Sequence, residues 1–97
     1  MRVRFLKRAQ KQLLKTLAWM DENDVSADAL EAELARKEKQ LEVTPYAGAP
    51  VLETKTVGVR VLYLSTRHIL YYRVKESAGL VEVLSFWHTS RRRRPKL

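Results

Sequence analysis

The stretch RHILYYRV at residues 67–74, followed by VEVLSFWH at residues 81–88, indicates paired β-strands in the second half of the chain. Both stretches are rich in β-branched and aromatic residues, and Gly79 between them suits a hairpin turn. A similar stretch at residues 57–64 precedes them, with a tight connection at residues 65–67. We therefore predict three consecutive antiparallel strands, at residues 57–64, 68–74 and 80–87.

The first half of the chain has the periodicity of a short strand and two helices. Val3 and Phe5 alternate with arginines, which predicts a strand, and apolar residues then recur at helical spacing from about residue 7 to residue 21. Ser26 is a favourable N-cap for a second helix, which Pro45 ends. The predicted fold class is α+β: a strand, an antiparallel two-helix hairpin and a three-stranded antiparallel sheet, in the order β-α-α-β-β-β.

Composition narrows the possible functions. The 97 residues carry a formal net charge of +8 and include no cysteine and two histidines, so disulfides, thiolate nucleophiles and a histidine-rich metal site are not expected. The pattern also predicts no signal peptide and no membrane span, and hence a cytoplasmic protein. Eight acidic and three basic residues fall within residues 20–44, so the positive charge is concentrated elsewhere. Such a field favours an acidic partner, either a protein or a nucleic acid.

Taken together, these features resemble a known family. The element order, the stretch RHILYYRV, the ending VEVLSFWHTSRRRRPKL at residues 81–97 and the opening FLKRAQKQLLKTLAWM at residues 5–20 are similar to the RelE/ParE superfamily of bacterial toxins. The resemblance covers essentially the whole chain. The aromatic strand followed by WHTSR, basic residues and Pro-x-Leu is more similar to a ParE-like branch than to the ribosome-dependent RNases of the RelE branch.

The resemblance implies the toxin of a type II toxin–antitoxin module, the kind of module associated with plasmid stabilisation. A ParD-like or other small acidic antitoxin is expected to neutralise it by tight binding. ParE members act on DNA gyrase, whereas RelE members cut messenger RNA in the ribosome. No cofactor and no metal are implied, and gyrase inhibition would not make the chain an enzyme.

The RelE branch is expected to place cationic side chains at four positions for metal-free RNA cleavage, which requires proton transfer and stabilisation of a charged phosphorane. Matching the LYYR strand places those positions on Arg60, Leu62, Ile69 and Thr89. One cation of four remains, although His88 and Arg91 can partly fill the last role. The sequence therefore predicts that RelE-type chemistry does not carry over.

Several basic side chains remain as candidates for binding the target. Arg60 and Arg73 lie on neighbouring predicted strands, and we expect them to share a face with His88. Glu82, among apolar residues, is expected to pair with one of these arginines, because an unpaired buried carboxylate is costly. Arg91, Arg92, Arg93 and Arg94 come after the last strand and predict a basic tail of residues 91–97 after a domain of residues 1–90.

The leading hypothesis is thus a ParE-like toxin that inhibits DNA gyrase. Its target-binding residues are taken to be Arg60, Arg73, His88 and Arg91–Arg94. The alternative is an mRNA endoribonuclease that uses Arg60, Arg73, His88 and Arg91, and a third, weaker alternative is a nucleic-acid-binding domain. The antitoxin is expected on an apolar groove with a basic rim, formed by six side chains of the two helices: Lys7, Lys11, Leu14, Lys15, Trp19 and Leu34.

Overall fold

A computed structural model of the chain describes residues 1–89 and 95–97. Its elements in chain order are β1 (Arg2–Phe5), α1 (Lys7–Glu22), α2 (Asp28–Val43), β2 (Ala49–Pro50), β3 (Val59–Tyr63), β4 (His68–Lys75) and β5 (Leu80–His88). The predicted α+β class and both helices are confirmed. The second helix begins at Asp28 with Ala27 as its N-cap, one residue after the N-cap predicted at Ser26.

The strands form a single mixed sheet in the order β1-β5-β4-β3-β2. The predicted antiparallel trio β3, β4 and β5 is its centre, and the turn between β3 and β4 closes with a bond from the Leu64 N–H to the His68 carbonyl. Strand β1 adds to the sheet in parallel beside β5, with Val3 opposite Val81. Strand β2 pairs antiparallel with β3 at the other edge, so two strands extend the expected three-stranded sheet.

Both helices cover one face of this sheet, and the main core lies between them and the strands. The apolar stripe of α1 packs there, together with three leucines of α2: Leu30, Leu34 and Leu41. Alternating residues of the central strands, such as Val81 and Val83, supply the other side of the core. We call this side of the sheet the helix face.

The opposite side of the sheet, which we call the second face, carries a smaller apolar cluster. It consists of Val59, Val61, Ile69, Tyr71 and Leu84. Chain segments rather than helices cover it, with Trp87 and Leu97 packed against its edge. Pro95 is buried, and the carbonyl oxygens of Lys96 and Leu97 accept hydrogen bonds from Arg8 and from the Thr56 N–H. Residues 95–97 therefore lie on the domain, while the predicted tail residues Arg91–Arg94 lie outside the described residues.

A β-bulge links the centre of the sheet to α1. Tyr71 is opposite Ser85 and Tyr72 is opposite Val83, which leaves Leu84 as the extra residue in β5. Next to the bulge, the Phe86 N–H donates to Oε1 of Gln12 at 2.8 Å, and the Ser85 hydroxyl donates to the same oxygen at 2.9 Å. The helix thus satisfies a backbone donor beside the interrupted ladder, which positions α1 over the end of β5.

Helix α2 is joined to the β3–β4 turn by a buried carboxylate. The Ser65 N–H donates to Oε2 of Glu33 at 2.7 Å, and the Ser65 hydroxyl donates to Oε1 of the same side chain. These hydrogen bonds, the hydroxyl first, hold the pKa of Glu33 below its ordinary value, with smaller contributions from Lys37 and Arg36. The carboxylate therefore links α2 to the turn between β3 and β4 through two hydrogen bonds.

Replacing Glu33 with Ala is expected to reduce the free energy of unfolding by about 1.5 kcal/mol or more, the low end of the contribution of one hydrogen bond to a charged group, because Ser65 is exposed and water can replace the carboxylate. Urea denaturation at pH 7 measures the change. The matched control is Glu42→Ala, an exposed glutamate on the same helix, which should leave the midpoint nearly unchanged. Equal urea midpoints for the two variants would contradict a stabilising role for the Glu33 hydrogen bonds.

Candidate functional site

The outer surface of α1 carries most of the residues assigned to antitoxin binding. Lys7, Lys11 and Lys15 are exposed and recur every four residues, so they line one side of the helix. Leu14 and Trp19 are 65% and 58% exposed, so both present apolar surface to solvent on α1. Leu34, by contrast, is buried in the helix-face core, so its expected place on this surface is wrong. The other five predicted side chains thus remain accessible together on α1.

A groove of about 820 Å³ lies beside the C-terminal half of α1 and is floored by a pair of histidines. The imidazole of His68 stacks on the Phe86 ring at 4.9 Å and meets the His88 ring edge-on at 4.9 Å. Burial, and then the neighbouring His88, lowers the pKa of His68 below its ordinary value. His68 is buried at the start of β4, because its ring packs into the helix face. Trp19 and Lys15 line the opposite side of the same groove.

Arg60 is directed towards the loop between α2 and β2. Its Nη1 donates to the carbonyl oxygens of Tyr46 at 3.2 Å and of Gly48 at 2.6 Å, and its guanidinium lies 5.0 Å from the centre of the Tyr46 ring. In the same loop, the Gly48 N–H donates to the buried hydroxyl of Tyr72 at 2.8 Å. The guanidinium of Arg60 therefore stabilises this loop, with its Nη1 already used on backbone oxygens.

Arg73 lies on the other side of the sheet, paired with Glu82. Its Nε is 2.9 Å from Oε1 of Glu82, and Nζ of Lys75 is 3.5 Å from the same oxygen. Burial raises the pKa of Glu82, but the hydrogen bond from Arg73 and the charge of Lys75 outweigh it and hold the pKa below its ordinary value. Glu82 thus has an arginine counter-ion, as the sequence predicts.

The predicted cluster of Arg60, Arg73 and His88 does not form. Arg60 is opposite Tyr72 in the β3–β4 ladder, and Arg73 is opposite Val59, so the two arginines lie on opposite faces of the sheet. His88 is opposite His68 on the helix face. His68 lies four residues along β4 from Tyr72, the partner of Arg60, which separates His88 from Arg60 by about 13 Å along the strands at the usual rise. The expectation of one shared face is therefore wrong, because the register set by the turn places the two arginines on opposite faces of the sheet.

The four positions that the resemblance assigns to RNA cleavage are also scattered. Arg60 and the half-buried Leu62 lie on β3, whereas Ile69 is buried in the cluster of the second face. Thr89 is exposed just after β5, where its N–H donates to the Arg67 carbonyl at 2.9 Å. Neither aliphatic side chain can donate to a phosphate or transfer a proton. The remaining predicted residues, Arg91 to Arg94, lie outside the described residues.

Metal binding and membrane crossing can be assessed for the part of the chain that the structure describes. Within residues 1–89 and 95–97, no three histidine, aspartate or glutamate side chains come together as a group that could hold a metal ion. Among the described helices, none combines the length and apolar character needed to cross a bilayer.

Comparison with known proteins gives a consistent assignment of fold. The chain is similar to the chromosomal ParDE toxin–antitoxin system of P. aeruginosa, at 20% identity and a TM-score of 0.69, covering 93% of this chain and 97% of that one. It is also similar to the toxin–antitoxin complex RelBE2 of Mycobacterium tuberculosis, at 21% identity and a TM-score of 0.66, covering 89% and 87% of the two chains. It is similar as well to the isolated RelE toxin of E. coli, at 19% identity and a TM-score of 0.63, covering 92% of this chain and 84% of that one.

The family of the chain is identified from its sequence. None of the curated proteins matches it. The sequence model of the family described as "ParE toxin of type II toxin-antitoxin system, parDE" matches residues 3–93, which span nearly the whole described fold. This chain therefore belongs to the ParE toxin family of type II toxin–antitoxin systems.

Proposed function

We propose that this ParE-family toxin acts by inhibiting DNA gyrase and that a small acidic antitoxin neutralises it. The observation that carries the proposal is the depletion of phosphate-handling side chains at the four positions that the RelE resemblance assigns to catalysis. Leu62 and Ile69 are aliphatic, and Nη1 of Arg60 is used on two backbone carbonyls. A toxin with these substitutions is expected to act by binding a protein, as the gyrase-directed branch does.

The alternative is a ribosome-dependent mRNA endoribonuclease of the RelE type. The observation that favours it is the histidine pair in the groove, since imidazoles transfer protons near neutral pH and Lys15 lines the same groove. The residues first considered for this chemistry, Arg60, Arg73, His88 and Arg91, support it less, because the first two lie on opposite faces. Both targets are cytoplasmic, and the cytoplasm is where we expect the toxin to act.

The two functions are distinguished by incubating the purified chain with gyrase, ATP and relaxed plasmid, and separately with translating ribosomes. We expect loss of supercoiling with intact transcripts, and recovery of supercoiling when the antitoxin is added first. Intact supercoiling together with codon-spaced cuts in the transcript would reverse the assignment.

The antitoxin is proposed to dock on the surface of α1 formed by Lys7, Lys11, Leu14, Lys15 and Trp19. Its two exposed apolar side chains offer anchoring contacts, and the lysine row offers a basic rim for an acidic amphipathic segment. The structural neighbours include toxin–antitoxin complexes, which supports an antitoxin as partner. Rim charges mainly steer association, because they attract the partner over long distances before contact is made.

Reversing the charge of Lys11 and Lys15 to Glu is expected to slow association with the antitoxin at low salt by about fivefold or more and to reduce the salt dependence of the rate. Stopped-flow mixing at several ionic strengths measures both quantities. Lys39→Glu with Lys55→Glu is the control, since it changes the net charge equally at exposed sites away from α1. If both pairs slow association alike, the effect is one of net charge and the docking surface lies elsewhere.

A further inference from the structure

The loop between β2 and β3, residues 51–58, exposes two aliphatic side chains almost completely. Leu52 is 88% exposed and Val57 is 90% exposed, the largest fractions among the large apolar residues that the structure describes. Their neighbours Val51 and Val59 point inward and pack on the second face. The loop thus packs Val51 and Val59 on the second face while it leaves Leu52 and Val57 exposed. Each exposed side chain is within two residues of one that packs inward.

Hydrogen bonds hold the loop in this conformation. Its base is closed by the Val51 N–H, which donates to the Val59 carbonyl at 2.8 Å, and the Thr54 hydroxyl donates to the Thr56 carbonyl at 2.7 Å. The Thr56 N–H donates to the carbonyl of Leu97 at 3.0 Å, and Leu97 itself packs on the second face. Because the loop is fixed at both its base and its tip, the two side chains are presented in advance of binding, which reduces the entropy lost on binding.

The immediate surroundings of the loop are mainly basic. Lys55 and Lys96 are exposed, and Arg8 is held beside Lys96 by a 2.6 Å bond to its carbonyl. Glu53 is the acidic residue of the loop itself. Two aliphatic anchors with a cationic rim fit an apolar pocket that is bordered by carboxylates.

The chemistry of the loop favours a protein over the other classes of partner. Aliphatic side chains do not stack on nucleobases as aromatic ones do, so single-stranded nucleic acid gains little from them. The two side chains contain about seven carbon atoms, roughly half of a myristoyl chain that itself gives only marginal membrane binding. A second copy of this chain would bring two molecules of charge +8 together, which is unfavourable.

We infer that Leu52 and Val57 are anchor residues that the toxin inserts into an acid-rimmed apolar pocket of its protein target. This inference rests on the proposed function, in that the toxin is taken to act by binding a protein, and it adds a contact element that no motif of the sequence identifies. The loop lies on the side of the domain that carries residues 95–97, whereas the α1 surface proposed for the antitoxin faces away from the sheet. Target and antitoxin would then contact different apolar anchors, on the loop and on the outer surface of α1, and Arg8 of α1 would lie beside the loop.

The test replaces both anchors with Ser, in the variant Leu52→Ser with Val57→Ser. Since both side chains are exposed, the melting temperature and the antitoxin affinity should not change. The concentration needed for half inhibition of gyrase supercoiling should rise at least about tenfold, which corresponds to losing one well-buried aliphatic contact. Val43→Ser is the matched control, because Val43 is 80% exposed at the end of α2. Growth arrest on expression without antitoxin is the second readout.

Each outcome decides between the inference and the proposed function. If the wild-type chain inhibits gyrase and the double variant inhibits it equally well, the inference is overturned and the proposed function stands. If the wild-type chain arrests growth without inhibiting gyrase, the proposed target is overturned, and the inference then stands only if the double variant no longer arrests growth. Loss of antitoxin affinity, or of binding to anionic vesicles, in the double variant alone would assign the loop to those partners and overturn the inference.

Discussion

Substitution of Gly48 by Ala is expected to cause the largest loss of stability of any single substitution proposed for this toxin, about 2–3 kcal/mol or more. A Cβ atom at this position would lie 2.6 Å from the carbonyl oxygen of Val61, 2.7 Å from the Tyr72 hydroxyl and 2.8 Å from a carbon of the Tyr72 ring. The first of these atoms is backbone within β3, and Tyr72 is fully buried, so neither can move without disturbing the sheet.

The same position also organises the loop around it. The Gly48 N–H donates to Tyr72, and its carbonyl accepts from Arg60, so displacing this residue breaks two hydrogen bonds as well as creating overlap. Thermal melting measures the effect, and a loss of this size lowers the midpoint by roughly 10 °C or more for a domain of about 100 residues.

Gly58→Ala separates steric overlap from the loss of backbone freedom. Gly58 has a φ of +80°, but nothing lies within 4 Å of the position its Cβ would take. This variant is expected to cost about 1 kcal/mol through backbone strain alone. A Gly48→Ala midpoint equal to or above that of Gly58→Ala would show that the close approach at Gly48 is not a constraint on the fold.

Local patterns in the sequence are sufficient for the helices and the antiparallel trio. The apolar stripe from Ala9 to Met20 and the two short connections around residues 65–67 and 75–79 each involve residues close together in the chain. The pairing of Glu82 with Arg73 could also be inferred, because burying a carboxylate in a strand requires a nearby cation. These predictions depend on near neighbours, whose contacts are determined by periodicity and turn length.

The features that sequence reasoning missed depend on register and on distant contacts. The parallel pairing of β1 with β5 joins residues about 80 positions apart, and no local pattern specifies it. The bulge at Leu84 shifts the alternation of β5 before His88, and Gln12 is matched to that bulge from a helix far away in the sequence. The buried state of His68 depends on the same tertiary packing.

The sheet faces on which Arg60 and Arg73 lie could be inferred in part from the sequence. If the turn closes between Leu64 and His68, Arg60 must stand opposite residue 72 and Arg73 opposite residue 59, on alternate faces. The predicted connection at residues 65–67 is this three-residue turn, so it already separates the two arginines. The expected shared face of Arg60 and Arg73 was therefore inconsistent with the predicted turn, because a shared face would require a register shifted by one residue.

Replacement of Arg91, Arg92, Arg93 and Arg94 by Gln is expected to abolish toxicity, the largest functional effect predicted for this chain. Guanidinium groups pair with carboxylates in two-pronged geometry, and desolvated pairs of this kind at an interface contribute a few kcal/mol each. Losing two such pairs would weaken binding of an acidic target by several orders of magnitude, since about 1.4 kcal/mol corresponds to a factor of ten. Growth on expression in cells without the antitoxin measures the result.

The glutamine variant is a sharper test than truncation because the last three residues of the chain pack on the domain. Pro95 is buried, Leu97 packs on the second face, and the Lys96 and Leu97 carbonyls accept hydrogen bonds from Arg8 and Thr56. Deleting residues 92–97 should therefore lower the melting temperature as well as toxicity, whereas the glutamine variant should melt close to wild type because these contacts remain. A glutamine variant that melts normally and still arrests growth would assign the arginines to solubility alone. Binding of the target would then depend on the loop of residues 51–58, with Leu52 and Val57 as its anchors.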